Sequence, residues 1–376
     1  VNASALMFWL CMAMLAYAYL GYPLLLRIAG RGRKRSVDAA PGALPEITVV
    51  IAAHDEETRI AARTRDILAQ DYPADRIRVI VVDDGSNDAT SRAANIGDPR
   101  CRVITLTDND GKASALNIAL RAVTTPITVF ADARQRFEPG TLRALVAPFD
   151  NPRIGAVAGE LRFRNESDGD NDLGLYWRIE RQLRHDESAL GWLHGVSGAI
   201  HALRTSLFVP MPAGTLLDDM WLPLQVVFSG HRVWMSERAI AWDTASANHG
   251  EEFARKVRTL AGNWQLIARL PRLLVPWRNP VWFAWYSHKL SRLLAPWAML
   301  AALLACAFSG DPLYRALFVA QCIGYGIALF AIAVPGTARR LPFAITAGTF
   351  LMLNTAALLS LPAAISRDAN RLWKPH

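Results

Sequence analysis

The chain has 376 residues, a formal net charge of +8, and 52% hydrophobic against 20% charged residues. Its mean hydropathy of +0.15 is high for a chain this charged, and the apolar residues fall in blocks, which excludes a single soluble domain. The charge is not arranged as a basic stripe with base-stacking aromatics, which excludes a nucleic-acid partner. Cys11, Cys306 and Cys322 sit in apolar stretches and Cys101 in the polar middle, which excludes a disulfide framework or a metal-binding cysteine spacing.

In chain order, Val1–Leu26 carries no Asp, Glu, Lys or Arg, and crossing a bilayer takes about 20 apolar residues. Residues 1–27 therefore read as a transmembrane helix. A cleaved signal peptide is the weaker reading, because no basic region precedes the stretch and no small-residue cleavage site follows it. Arg27, Arg31, Arg33, Lys34 and Arg35 lead into a basic linker, 28–44. By the positive-inside rule they place the N-terminus outside and the next domain in the cytoplasm.

Residues 45–264 read as a mixed domain. Ile47–Ala53 is a continuous apolar, β-branched run of the kind found in buried parallel strands, and a helical stretch follows through Leu68. Arg78–Val82 is a second buried strand, broken by Asp83-Asp84-Gly85-Ser86, with a helix expected over Asp88–Ala94. Cys101–Leu106 and Ile127–Phe130 read as further strands, with a helix over Gly111–Val123 between them. Fourfold alternation of strand and helix predicts an α/β, Rossmann-like, mostly parallel sheet. Ligands of such sheets bind beyond the carboxyl ends of the strands, where the polar clusters of this chain fall. Residues 265–292, rich in Arg and Trp, read as an interfacial amphipathic segment. Residues 293–366 hold the uncharged stretches Leu293–Gly310, Ala316–Ala338 and Leu341–Ser366. The last two are long enough to span; the first is marginal, its start interrupted by Pro296. If all three cross, Arg339 and Arg340 fall inside, and Arg367, Arg371 and Lys374 of the tail, 367–376, fall outside, against the rule.

Five motifs in order make a more specific pattern. They are Ile47–Glu57, Asp83–Thr90, Gly111-Lys112 through Asn117 with the acidic strand end Asp132, Gly195-Val-Ser197-Gly198 through Arg204, and Leu217-Asp218-Asp219. This pattern resembles family 2 glycosyltransferases from about Pro45 to Trp264, and the apolar blocks resemble the membrane-integrated, cellulose-synthase-like branch. The resemblance implies a GT-A fold and an inverting transfer of sugar, from a nucleotide-sugar donor (a UDP-sugar) to a glycan or lipid-linked acceptor. It also implies an integral protein of a bacterial inner membrane, in contact with membrane lipids and with an export or assembly partner.

Carried over residue by residue, the resemblance implies donor binding by Asp55, Glu57, Asp83, Asp84, Lys112, Asp132 and Arg258. Asp83 and Asp84 would accept a base N–H or a ribose hydroxyl, although Asp-Gly-Ser is also a common strand-to-helix turn. Lys112, behind Gly111 at a helix start, suits phosphate, or is a solvated surface lysine. The family's Asp-x-Asp reads Asp132-Ala133-Arg134 here, so Asp132 alone would hold Mg²⁺ or Mn²⁺, ions that need only one or two carboxylates. Arg134 pairs with a phosphate or an acidic sugar, or points to solvent. Asp219 is the expected general base, tuned by Asp218; both also suit an acidic helix N-terminus.

The acceptor would meet Gly195, Ser197, Gly198 and Trp264. In the processive Gln-x-x-Arg-Trp motif Arg258 aligns, but Thr259 stands where the Trp belongs. Transfer to a polyprenyl phosphate and a catalytically degenerate glycan-binding subunit are the alternatives.

Overall fold

The computed structural model describes residues 3–33, 44–163, 172–244, 249–338, 341 and 343–366. Lys34, Arg35, Arg339, Arg340, Arg367, Arg371 and Lys374, on which part of the charge-based topology rests, lie outside the described residues.

Eight strands form one sheet. They are β1 (Ile47–Ala53), β2 (Ile77–Asp83), β3 (Cys101–Thr105), β4 (Ile127–Ala131), β5 (Arg136–Phe137), β6 (Ile154–Phe163), β7 (Ile200–Arg204) and β8 (Arg232–Asp243), in the order β3-β2-β1-β4-β7-β6-β8-β5. The four strands expected from the apolar runs pair in parallel, with β1 between β2 and β4. β7 pairs antiparallel with both β4 and β6, and so carries the sheet into its second half.

Helices α1 (Ala3–Ala29), α2 (Ile60–Leu68), α3 (Thr90–Ala94), α4 (Lys112–Ala122), α5 (Thr141–Val146), α6 (Asp172–Leu190), α7 (Asp218–Phe228), α8 (His249–Arg269), α9 (Trp282–Ala307), α10 (Pro312–Ala333) and α11 (Ala344–Ile365) complete the frame. Strand alternation sends Val50, Val82 and Phe130 to one face, where they meet Leu116 of α4 and Leu224 of α7. Ile51, Val81 and Val129 go to the other, against Ile67 of α2 and Leu142 of α5. Each such fully buried aliphatic side chain contributes about 1.5–3 kcal/mol, so both faces hold the strands rigidly and fix the loops at their carboxyl ends.

Among the described residues, four helices are long and apolar enough to cross a membrane: α1, α9, α10 and α11. Phe8 and Cys11 of α1 pack on Ala298, Ala302 and Cys306 of α9. The sequence reading starts the first late stretch at Leu293, but the helix begins at Trp282. Its charges Lys289 and Arg292 interrupt the apolar run, yet both meet Glu180 of α6, at 3.4 and 2.9 Å. Pro296 is buried inside the helix rather than at its start. The domain boundary at residue 264 is likewise displaced, because α8 runs unbroken to Arg269.

Candidate active site

The polar clusters converge where β1, β2 and β4 end. Asp55 to Glu57 and Asn87 to Thr90 are zipped together: the carboxylates of Asp55 and Glu57 accept from the amides of Asn87 and Ala89, both at 2.9 Å. In return Ser86 and Asp88 accept from the amides of Asp55 and Glu57. Asp83 is buried and accepts from the amide of Ser86 at 3.1 Å. Asp84, also buried, accepts from the amides of Asp110 and Gly111 at 3.2 and 2.9 Å. Burial raises its carboxyl pKa against the pull of those two amides. Asp83 and Asp84 therefore set the shape of this rim as well as lining it. Gly85 is obligatory here: its φ is +63°, and a Cβ would stand 2.6 Å from the Asp108 carbonyl carbon.

Lys112 opens α4 and reaches across the strand ends. Its Nζ lies 3.0 Å from Asp132 Oδ1 and 3.1 Å from Asp218 Oδ2. Burial would favour the neutral amine, but Asp132 first, then Asp218 and Asp219, outweigh it and hold the ammonium charged. Burial likewise works against the Asp132 carboxylate, and Lys112 overcomes it, so its pKa falls. Asp218 and Asp219 begin α7, where free backbone N–H groups favour negative charge. Asp219 is half-buried, and burial followed by repulsion from Asp218 pushes its carboxyl up to about 6. Arg258 of α8 faces the same acids: burial lowers its pKa, while Asp218, Asp219 and Asp132 oppose that shift.

Gly198 approaches Lys112 and Asp219 closely; a Cβ there would stand 3.3 Å from Nζ and 3.8 Å from Asp219 Cβ. Gly195 packs on Met220, whose Sδ a Cβ would meet at 2.3 Å. The amide of Val196 donates to the Asp219 carbonyl at 2.9 Å, and the Ser197 carbonyl meets His201 Nδ1 at 3.0 Å. Trp264 lies apart from this group, its indole donating to Ser360 of α11 at 3.1 Å. Arg134 is exposed and donates to Asp243 at 2.8 Å, alongside Gln135.

Four contributors escaped the sequence reading. Arg63 is fully buried on α2 and donates from Nε to the Asp132 carbonyl at 3.1 Å. Its signal was present: Ile60, Arg63, Thr64 and Ile67 are the buried stripe of α2, so an arginine occupies a core position of the helical period. His201 stacks on Phe130 at 4.5 Å, with Nε2 buried and without a hydrogen-bond partner among the described residues. Gln265 and Arg269 of α8 grip the approach to Asp218: Gln265 holds the Leu216 amide and the Gly214 carbonyl, and Arg269 holds Thr215 and the Ala213 carbonyl.

Residues 48–209 match the family model described as glycosyl transferase family 2. Over these residues the chain is similar to that family. It is 23% identical over 237 residues, 60% of the chain, to a poly-beta-1,6-N-acetyl-D-glucosamine synthase of Staphylococcus aureus, covering 56% of that protein. It is 33% identical over 135 residues, 34% of the chain, to an N-acetylglucosaminyltransferase of Sinorhizobium fredii, covering 32% of it. The chain thus spans about half, or less, of the length of these curated relatives. A mannosyltransferase of Pyrobaculum calidifontis, solved with GDP-Man and Mn²⁺, superposes with a TM-score of 0.73 at 22% identity. That likeness covers 96% of this chain and 99% of the other. It extends the shared fold through the apolar helices, and the sheet with its covering helices is a GT-A fold.

Proposed function

We propose that this chain is a membrane-anchored, inverting glycosyltransferase that moves a sugar from a nucleotide-sugar to a hydroxyl acceptor. The observation that carries the reading is Asp219. It is a half-buried carboxylate raised to about 6 beside Asp218, and it shares a cleft with the Lys112–Asp132 pair. A base poised near neutrality is suited to taking a proton from an attacking hydroxyl.

The family 2 relatives and the candidate spans support this reading, as does the strand-end position of the acids. Asp83, Asp84 and the clamped rim of Asp55 and Glu57 would receive the nucleoside, and Lys112 and Arg258 the diphosphate. Gly195–Gly198 would leave room for the acceptor beside Asp219. A divalent ion fits the donor set: Asp132 has one oxygen on Lys112 and a second to offer, and carboxylate oxygen suits Mg²⁺ or Mn²⁺. Such an ion, held by Asp132 and the donor diphosphate, would neutralise the departing charge. The acceptor hydroxyl then attacks the anomeric carbon from the side opposite the diphosphate, the bond to the diphosphate breaks, and the hydroxyl proton passes to Asp219.

The reading places residues 45–264 on the cytoplasmic side, with Arg27 in the last turn of α1 and Arg31 and Arg33 just after it. The glycan synthase relatives support a growing polysaccharide as acceptor. Transfer to a polyprenyl phosphate is the second reading, supported by Arg269, Arg272 and Arg278 around the exposed Trp277 before α9.

Purified full-length protein incubated with UDP- and GDP-sugars, with and without Mn²⁺, tests the proposal. Release of nucleoside diphosphate from one donor supports it; folded protein inert toward every donor sinks it. Product extractable into organic solvent only when polyprenyl phosphate is present would favour the second reading.

A further inference from the structure

Away from the strand ends, α6 buries two carboxylates against the apolar helices. Glu187 is 1% exposed and Glu180 is 5% exposed. His288 of α9 lies between them, Nδ1 2.8 Å from Glu187 Oε1 and Nε2 2.9 Å from Glu180 Oε1. Lys289 and Arg292, on the same helix, also reach Glu180. Tyr22 of α1 donates to Glu187 at 2.9 Å. Two candidate membrane helices therefore close on one pair of acids in the glycosyltransferase domain.

Glu187, His194 and His288 also resemble a metal centre, since one ligand atom from each lies within 4.8 Å of the others. The charge count argues against that. Each ring nitrogen of His288 lies within 2.9 Å of a carboxylate oxygen. Lys289 and Arg292 already supply two positive charges to the two carboxylates, and a divalent ion would create an excess of positive charge. Burial keeps His194 neutral, its pKa lowered to about 4.

The path from this network to the acids is short. The Glu187 carbonyl accepts from the Trp192 amide at 2.7 Å, which turns the chain out of α6. Four residues on, the Val196 amide holds the Asp219 carbonyl, and Gly198 lies against Lys112 and Asp219. A short hydrogen-bonded stretch of chain therefore joins Glu187 of α6 to Asp219.

We propose that His288, Lys289 and Glu187 are positioning residues for the glycosyl transfer: they fix Asp219 to the membrane helices, so that seating of α9 sets the catalytic geometry. This rests on the reading of Asp219 as the base. Asp219 feels the charges of Asp218 on its own helix, Lys112 on α4, Arg184 on α6 and Lys289 on α9, and Arg258 of α8 feels Asp219 in turn. Removing the Lys289 charge leaves Asp219 with less positive company.

The test compares full-length His288→Gln, Glu187→Gln, Glu187→Asp, Lys289→Met and Tyr22→Phe in lipid nanodiscs, using whichever donor the wild-type enzyme turns over, with Asp219→Asn alongside. His288→Gln and Glu187→Gln are expected to lower kcat about 10- to 100-fold with the donor KM within about twofold, a split expected when transition-state geometry alone is disturbed. Glu187→Asp should recover part of the loss, and Lys289→Met should move the acid limb of the pH–rate profile to higher pH. Should the Gln variants fail to fold, Tyr22→Phe, which removes one hydroxyl from Glu187, should still lower kcat several-fold at unchanged donor KM. Unaltered kcat and pH profile in the folded variants, with Asp219→Asn inactive, would overturn the coupling and leave the base intact. An active Asp219→Asn would instead overturn the base. One tightly bound metal ion per chain, lost in His194→Ala, would overturn the network reading in favour of a metal centre.

Discussion

Lys112 stands 3.0 Å from Asp132, and the same ammonium reaches Asp218 at 3.1 Å, so one cation ties the end of β4 to the start of α7. The three residues are 106 positions apart at their extremes, from Lys112 to Asp218, and the sheet order is what brings them together. Replacing Lys112 by Met leaves two carboxylates facing each other without their cation. Truncating one partner of a buried pair costs about 3–5 kcal/mol, and solvent at this partly open site reduces that. The expected outcome is a loss of donor affinity of at least about tenfold, with folding retained. Calorimetric titration of nucleoside diphosphate with Mn²⁺ checks it.

Asp219→Asn should abolish turnover while sparing the donor. General-base contributions run about 10² to 10⁴-fold, and an interaction made only in the transition state leaves ground-state binding alone. Asp218→Asn should be milder in turnover but also weaken donor binding, because it releases Lys112. Steady-state kinetics beside nucleotide binding on both variants separates the roles. The reverse pattern would make Asp218 the base.

A base works only when ionised. With Asp219 at about 6, kcat/KM is expected to fall with unit slope as pH drops through that value, and to level off above it. Asp219→Asn should lose this limb, whatever residual rate remains. A pH–rate profile from 4.5 to 8.5 decides the matter.

Much of this was legible before any coordinates. Apolar β-branched runs at 47–53, 78–82 and 127–130 marked the parallel strands, because strands covered on both faces have no polar side to show. The carboxylates at their ends pointed to the candidate site. What stayed hidden was pairing at a distance. Nothing near Arg134 in the chain says that Asp243 will hold it. Nor does anything near Lys289 say that Glu180 will neutralise it and let α9 begin at Trp282. Arg63 was the readable exception, since its place in the stripe of α2 marks it as buried, and a buried arginine needs an acceptor.

Arg134→Ala tests the departure from Asp-x-Asp. Arg134 serves Asp243, which is 4% exposed and is also held by Gln135. Removing the guanidinium should destabilise the fold by about 1–3 kcal/mol, the cost of a buried acceptor left short of a donor. Metal affinity and donor affinity should stay within about twofold, since Asp132 alone is the proposed ligand. Thermal unfolding in detergent, with Mn²⁺ titration of activity, checks both. A Mn²⁺ requirement shifted more than tenfold would return Arg134 to the donor site.

The carboxylate needed for chemistry is also a strain on the fold. Asp219 rises from its ordinary 3.8 to about 6 because burial and Asp218 disfavour its charge. The native state therefore holds this proton more tightly than the unfolded chain does. Between those two values the native state binds more protons, so this group's contribution makes stability fall as pH rises from about 4 to 6. Above pH 6 the full penalty is present. The unscreened bound is about 3 kcal/mol, and solvent at a half-buried group leaves on the order of 1 kcal/mol. Asparagine keeps the size and cannot ionise, so Asp219→Asn should unfold about 1–2 °C higher than wild type at pH 7.5. At pH 4.5 the difference should shrink, because most wild-type Asp219 is then protonated as well. Melting curves at the two pH values read this directly. Equal stabilisation at both would assign the effect to packing and remove the electrostatic argument for Asp219 as a base held near neutrality.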